Sequence, residues 1–215
     1  TIAMSRNTTY ANGPAYLDKL VFVNSINDGG GSRTLDALKT GTIQAAFLRD
    51  PLPVKQAKES GFTGFSTFEP AGGTLLVNLG VKVTCKAGEP APTCTGKPDG
   101  STPTSPVTAE PLVRQAIAAA IDTRVINARG YNGAGAVSSK LFQDDFRWYP
   151  GVEGPKYDVA KAKDLVAQAK AKGWNGQVHV VYNSSPAGSA IGLAFQTMLQ
   201  AAGMTVTLDT NIDIQ

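Results

Sequence analysis

The second half of the chain changes its hydrophobic period three times in order, and this alternation constrains the fold more than any other feature. Val113, Ala116, Ile117, Ala120 and Ile121 recur at i, i+3, i+4, i+7 and i+8 behind Pro111, which suits the first turn of a helix. Asp122 is placed to cap a second short helix through Val125 and Ile126, closed by Gly130 and the Asn132-Gly133 turn. Asp158 caps a longer helix with the stripe Val159, Ala162, Leu165, Val166 and Ala169, and Gly173 stops it. A β-rich run over 178–182 follows. Helical spacing then returns at Ile191, Phe195, Met198, Leu199 and Ala202 up to Gly203. Met204, Val206 and Leu208 alternate with Thr205, Thr207 and Asp209, as in a strand with one buried face. Helix, strand, helix, strand gives an α/β class, with sheet strands joined by crossover helices.

The first half reads as a shorter version of the same grammar. A buried strand is expected over 20–23, a turn at Asn27, Asp28, Gly29, Gly30 and Gly31, a helix capped by Ser32 and ended by Gly41, and a strand over 43–48. That is the length of a βαβ unit. The glycines lack the spaced pattern of a phosphate loop. A helix over 54–60 stops at Gly61, and 75–79 is a further strand candidate. Residues 86–106 then bring Gly88, Pro90, Pro92, Gly96, Pro98, Gly100, Pro103 and Pro106 with few large apolar side chains, so an exposed insertion is expected there.

Bulk properties narrow the chemistry. Hydrophobic residues make up 42% of the 215 and charged residues 17%, enough apolar material for a packed core. The net charge of +3 is spread along the chain, which argues against nucleic acid, and no window approaches the ~20 apolar residues that span a bilayer. Cys85 and Cys94 lie in a core-poor stretch where a disulfide is favoured over two free thiols. A single histidine, His179, argues against zinc, and no metal or cofactor is expected. No Gly-x-Ser-x-Gly or Ser-x-x-Lys arrangement is present, and Asp144 and Asp145 are adjacent, so their side chains diverge in an extended segment. These observations point away from an enzyme. Phe142, Phe146, Trp148 and Tyr149 crowd what should be a loop, and the choice between ligand contact and tucking onto the core stays open.

Several segments in order resemble the extracellular solute-binding proteins that serve dipeptide, oligopeptide and nickel ABC importers. Arg6-Asn7-Thr8-Thr9-Tyr10, Pro14, Leu17-Asp18-Lys19-Leu20 and Val21-Phe22 are similar to that family's opening stretch, and Leu38-x-x-Gly41-Thr42-Ile43-Gln44-Ala45-Ala46 to its next motif. The most specific likeness is Leu112-Val113-Arg114-Gln115-Ala116-Ile117-Ala118-Ala119-Ala120-Ile121-Asp122. Tyr157-Asp158-x-x-Lys161-Ala162-Lys163-x-Leu165, Tyr182-Asn183 and Gln196-x-x-Leu199-x-x-Ala202-Gly203-Met204-x-Val206 continue it. Most of these positions also read as core, caps and helix stops, Arg114 among them as a structural residue.

The resemblance implies a periplasmic-binding-protein type II-like fold of two lobes, with 1–106 in the first lobe, including an insertion at about 80–108, and 107–215 in the second. It implies a fragment of a longer exported protein, extracellular or periplasmic and held to the membrane by lipid. The solute would be a small molecule, a peptide first, passed to a transporter permease; the fragment alone is expected to self-associate. Ligand contact is expected at Asn78, Phe142, Trp148, Tyr182 and Asn183, near the carboxyl ends of strands. Two other readings stay open: a catalytic α/β domain whose active residues lie elsewhere, and a sensor or interaction module on the same fold.

Overall fold

The computed structural model describes residues 1–24, 31–65, 75–80, 82–86, 94, 99–103, 106–142, 144 and 146–212. The chain divides into two compact units, Thr1–Gly61 and Phe62–Gln215.

In the first unit, β1 (Ile2–Ser5) and β2 (Lys19–Phe22) pair antiparallel, Ile2 opposite Phe22 and Met4 opposite Leu20. The Arg6 amide donates to the Asp18 carbonyl at 2.9 Å, and its guanidinium meets the Asp18 carboxylate at 3.1 Å. The expected strand at Leu20 is therefore present, but every residue of both strands is exposed. Its partner is β1 and not a parallel strand over 43–48. That segment forms no strand, because the Ile43 amide returns to the Ala37 carbonyl at the end of the preceding helix and is lost to any ladder. That helix, α1 (Ser32–Lys39), starts after Gly31, whose φ of 95° only glycine adopts easily; Gly31, and not Ser32 as expected, stands at the cap position. Gly29 and Gly30 lie outside the described residues. α2 (Pro51–Glu59) begins three residues before the expected start, with Pro51 at its first position. Leu35 and Ala57 are buried.

In the second unit a strand was expected over 75–79 and none forms there. Asn78 Oδ1 instead accepts from the Gly80 amide and closes a local turn. β3 (Lys82–Cys85) and β4 (Gly100–Pro103) pair antiparallel where sequence suggested only loop, and Cys85 and Cys94 are joined by a disulfide. Most of the expected insertion lies outside the described residues.

From a single 3-10 turn (Val107–Ala109) onward, the elements follow the periodicity closely. They are α3 (Pro111–Ala120), α4 (Thr123–Tyr131), α5 (Val159–Ala171), β5 (Gln177–Asn183), α6 (Pro186–Ala201) and β6 (Thr205–Ile212). β5 and β6 pair in parallel with α6 as crossover, so the βαβ unit lies here. Asp122 accepts from the Arg124 amide and Asp158 from the Lys161 amide, each satisfying an amide that the helix start leaves free. α5 and α6 end alike: the amide three residues past each helix reaches back five positions, Trp174 to Ala169 and Met204 to Leu199, around Gly173 and Gly203 at positive φ.

One apolar cluster holds the unit. Val113, Ala116, Ile117, Ala120, Ala162, Leu165, Val166, Val178, Val180, Ile191, Phe195, Met198, Leu199, Met204 and Val206 are all buried in it. Gly130 lets α4 lie on α6, since a Cβ there would overlap Ile191.

Two predictions follow from this core. Ile117 is 5% exposed, so Ile117→Ala should cost ~2–5 kcal/mol in a denaturant melt; an unchanged midpoint would contradict the assigned face. Asp122 is 9% exposed and its carboxyl is held below the ordinary 3.8, first by the Arg124 side chain and also by the amides it caps, against its own burial. A lowered folded-state pKa contributes stability above the unfolded value and loses it as pH falls through the folded one. Asp122→Ala should therefore cost about 1 kcal/mol near neutrality, and the difference from the unsubstituted chain should shrink on acidification below 3.8. The check is a series of melts from pH 7 to pH 2; a pH-independent difference would contradict the cap's role.

Candidate functional site

The five candidate ligand residues fall into three groups on different elements. At the carboxyl end of β5, Tyr182 packs its ring on Phe195 of α6, with centroids 6.2 Å apart. Burial raises its phenol pKa, and the nearby Tyr131 adds to the shift. Asn183 follows. Its Oδ1 accepts from the Ser185 amide at 3.1 Å and the Ser185 hydroxyl at 2.6 Å, while Ser185 Oγ accepts from the Gly188 amide at 3.0 Å. The asparagine carbonyl thus shapes the turn from β5 into α6. Gly188 is required beside it, because a Cβ there would overlap Asn183 Oδ1. The Asn183 amide nitrogen and the half-buried Tyr182 are what this end of the sheet can offer a ligand.

The second group is the loop over 139–155. Phe142 stacks on Phe146 at 5.2 Å and 4°, and Phe146 meets Trp148 edge-on at 5.5 Å and 78°. Offset or edge-on aromatic pairs add about 0.5–1.5 kcal/mol each beyond area burial. Phe142 and Phe146 are half-buried, while Trp148 keeps 72% of its surface exposed. Beside them lies an open groove of about 360 Å³ lined by Leu141, Phe142, Tyr149, Pro150, Val152 and Glu153, among others.

Lys140 stands at the base of this loop. Its Nζ is 2.7 Å from Asp144 Oδ1, 2.9 Å from Glu153 Oε1, and 5.2 Å from the centroid of the Tyr149 ring. Those acceptors raise its pKa, and Lys140 in turn lowers that of Glu153. Sequence reading singled out the aromatics but missed Lys140, Tyr149 as its partner, and Glu153. The Lys140 and Asp144 spacing of four residues was a visible signal; the return of Glu153 was not.

Asn78, the third group, is exposed, and its backbone carbonyl accepts from the Thr108 hydroxyl just ahead of α3. Arg114 donates to the Thr108 and Ala109 carbonyls at 2.9 and 2.7 Å, so it fastens the entry to α3, as its structural reading expected. His179 is exposed on β5 opposite Thr207. Among the described residues there is no group of three His, Cys, Asp or Glu that could hold a metal, and no helix long and apolar enough to cross a membrane.

No curated protein matches the chain in sequence. Solved structures do match its fold. CtaP, an ABC transporter substrate-binding protein from Listeria monocytogenes, is 19% identical with a TM-score of 0.57, over 97% of this chain and 38% of that one. The oligopeptide-binding protein AppA from Bacillus subtilis, solved with a nonapeptide, is 19% identical with a TM-score of 0.55, over 97% and 39%. MoaA from A. tumefaciens R10, solved with mannopinic acid, is 21% identical with a TM-score of 0.53, over 97% and 37%. The chain therefore spans under two fifths of the length of these relatives. Its mixed α/β architecture is of the periplasmic-binding-protein type II kind. Residues 1–213 match the model of the bacterial extracellular solute-binding proteins, family 5, middle. The chain belongs to that family.

Proposed function

We propose that the protein captures a small solute, a peptide first among the candidates, between two lobes and delivers it to the permease of an ABC importer. The observation that carries this reading is the family match over 1–213, made to a family of binding proteins and not of enzymes. The nonapeptide bound to AppA supports a peptide as the class of solute. In this reading 1–106 belong to one lobe and 107–215 to the other, and the protein works outside the cytoplasmic membrane, held to it by a lipid.

The ligand wall on this chain would comprise Asn78, Phe142, Trp148, Tyr182 and Asn183. Tyr182 and Asn183 sit where open α/β sheets bind their ligands, beyond the carboxyl end of a strand. Trp148 offers a wide apolar surface at little cost in side-chain entropy, which suits a binder that accepts varied side chains. The exposed Ile2, Met4, Leu20 and Phe22 share one face of the β1–β2 ribbon, and this supports self-association of the chain when it stands alone.

Native mass spectrometry of the full-length protein should show a co-purified peptide. In calorimetry with that peptide, Trp148→Ala and Tyr182→Ala should each weaken binding about tenfold, equivalent to 1.4 kcal/mol. Residues 1–215 alone should bind it more weakly still, because a cleft ligand loses burial and polar partners when one wall is missing. Equal affinity for both forms would overturn the two-lobe reading, and turnover of the bound solute would replace it with the catalytic one.

A further inference from the structure

We propose that Lys140 is a positioning residue: it closes the loop over 139–154 into a ring and so presents Phe142, Phe146 and Trp148 as one preformed apolar face. The ligand-facing role of that surface rests on the functional reading above, but the closure itself does not.

Three independent contacts converge at the neck. Lys140 Nζ bridges Asp144, four residues ahead, and Glu153, thirteen residues ahead, so one cation ties the near limb of the loop to its far limb. The Tyr149 ring lies 5.2 Å from the same nitrogen and its hydroxyl donates to Glu153 Oε1 at 3.3 Å, which brings the middle of the loop to the bridge. Gly154 packs on the backbone of Ser139 so closely that any Cβ would overlap the Ser139 carbonyl, so the two ends touch without a side chain between them. Ends in contact, with the loop's own rings stacked on one another, define a compact Ω-type loop.

Exposure shows which partner the arrangement depends on. The Lys140 side chain is only 21% exposed, whereas Asp144 and Glu153 keep 71% and 66%. The carboxylates form the exposed rim, and the lysine side chain is the more sheltered partner. Without it, Asp144 and Glu153 would face each other as like charges; Asp144 already opposes ionisation of Glu153 with the lysine in place. The aromatic stack depends on this closure because Phe142, Phe146 and Trp148 all lie between Lys140 and Glu153 in sequence. Outside the loop's own ring contacts, none of the three belongs to the apolar cluster of the unit. The face is therefore held from its base and not from the core beneath it.

The test needs no ligand. Arg147 is exposed within the loop and precedes Trp148, so trypsin cleavage after Arg147 reports opening. Lys140→Met should raise the rate of that cleavage about tenfold in the folded 215-residue chain and diminish the near-ultraviolet circular dichroism of the stacked aromatics. Lys140→Arg, which keeps a cation with several donors, should stay within about twofold of the unsubstituted rate. Cleavage at other exposed lysines and arginines should be unchanged, which separates loop opening from loss of the fold. Equal cleavage after Arg147 in Lys140→Met and the unsubstituted chain would overturn the proposal, and so would equal opening in Lys140→Met and Lys140→Arg. A closed loop in a protein whose binding is indifferent to Trp148→Ala would leave the latch standing and remove the ligand reading.

Discussion

The burial of one face of α3 is the interaction on which the rest of the second unit depends. Val113 and Ala116 have no exposed surface, Ile117 retains 5% and Ala120 retains 1%. Each buried aliphatic side chain contributes about 1.5–3 kcal/mol relative to leaving it in water. The alanines let a second helix approach closely, and α5 meets this face with Ala162 and Ala169, both fully buried. Polar links then fix the geometry that burial leaves free. Arg114 anchors the turn before α3, the Asp158 amide donates to the Ala119 carbonyl and sets where α5 starts, and the Asp122 amide donates to Met198 Sδ of α6 at 3.2 Å. From α3 the packing passes to α5 and α6, from α6 to β5 and β6, and from the end of β5 to Tyr182 and Asn183.

Helices in this unit were legible because their signals are local. Asp122 and Asp158 announce helix starts, Gly173 and Gly203 announce stops, and a stripe of apolar residues needs no knowledge of its partner to be recognised. Strand pairing is different, because the partner lies far away in sequence. The apolar run over 43–48 carries the composition of a strand, yet its first amide is taken by the end of α1; the run over 75–79 pairs with no strand among the described residues, and Asn78 turns it locally. The reverse error occurs at 82–85 and 100–103, where a Pro- and Gly-rich texture concealed a short ladder next to a disulfide. The candidate site divides the same way. A cluster of four aromatics in a loop was visible, but the ion pairs to Lys140 that hold it depend on a return of the chain at Glu153 that no periodicity encodes.

The first unit is built on another principle. The β1–β2 ribbon has an apolar face formed by Ile2, Met4, Leu20 and Phe22, and all four are exposed. A two-stranded ribbon is marginal in water without a surface to pack on. The motifs shared with the solute-binding family fall on both kinds of structure: Leu112 to Asp122 on the densest packing in the chain, and Leu17 to Phe22 on a ribbon that buries nothing of its own. Family likeness therefore marks positions that matter to the fold, the end of β5 among them, while the aromatic loop over 139–155 lies between the shared motifs.

Native-state hydrogen exchange resolved by residue tests this account most directly. If the α3 face organises the second unit, amides of α3, α5, α6 and β5 exchange together and slowest, through one shared opening, while those of β1 and β2 exchange much faster. Protection in β1 and β2 equal to that in α3, or exchange of α3 ahead of α5 and α6, would contradict it.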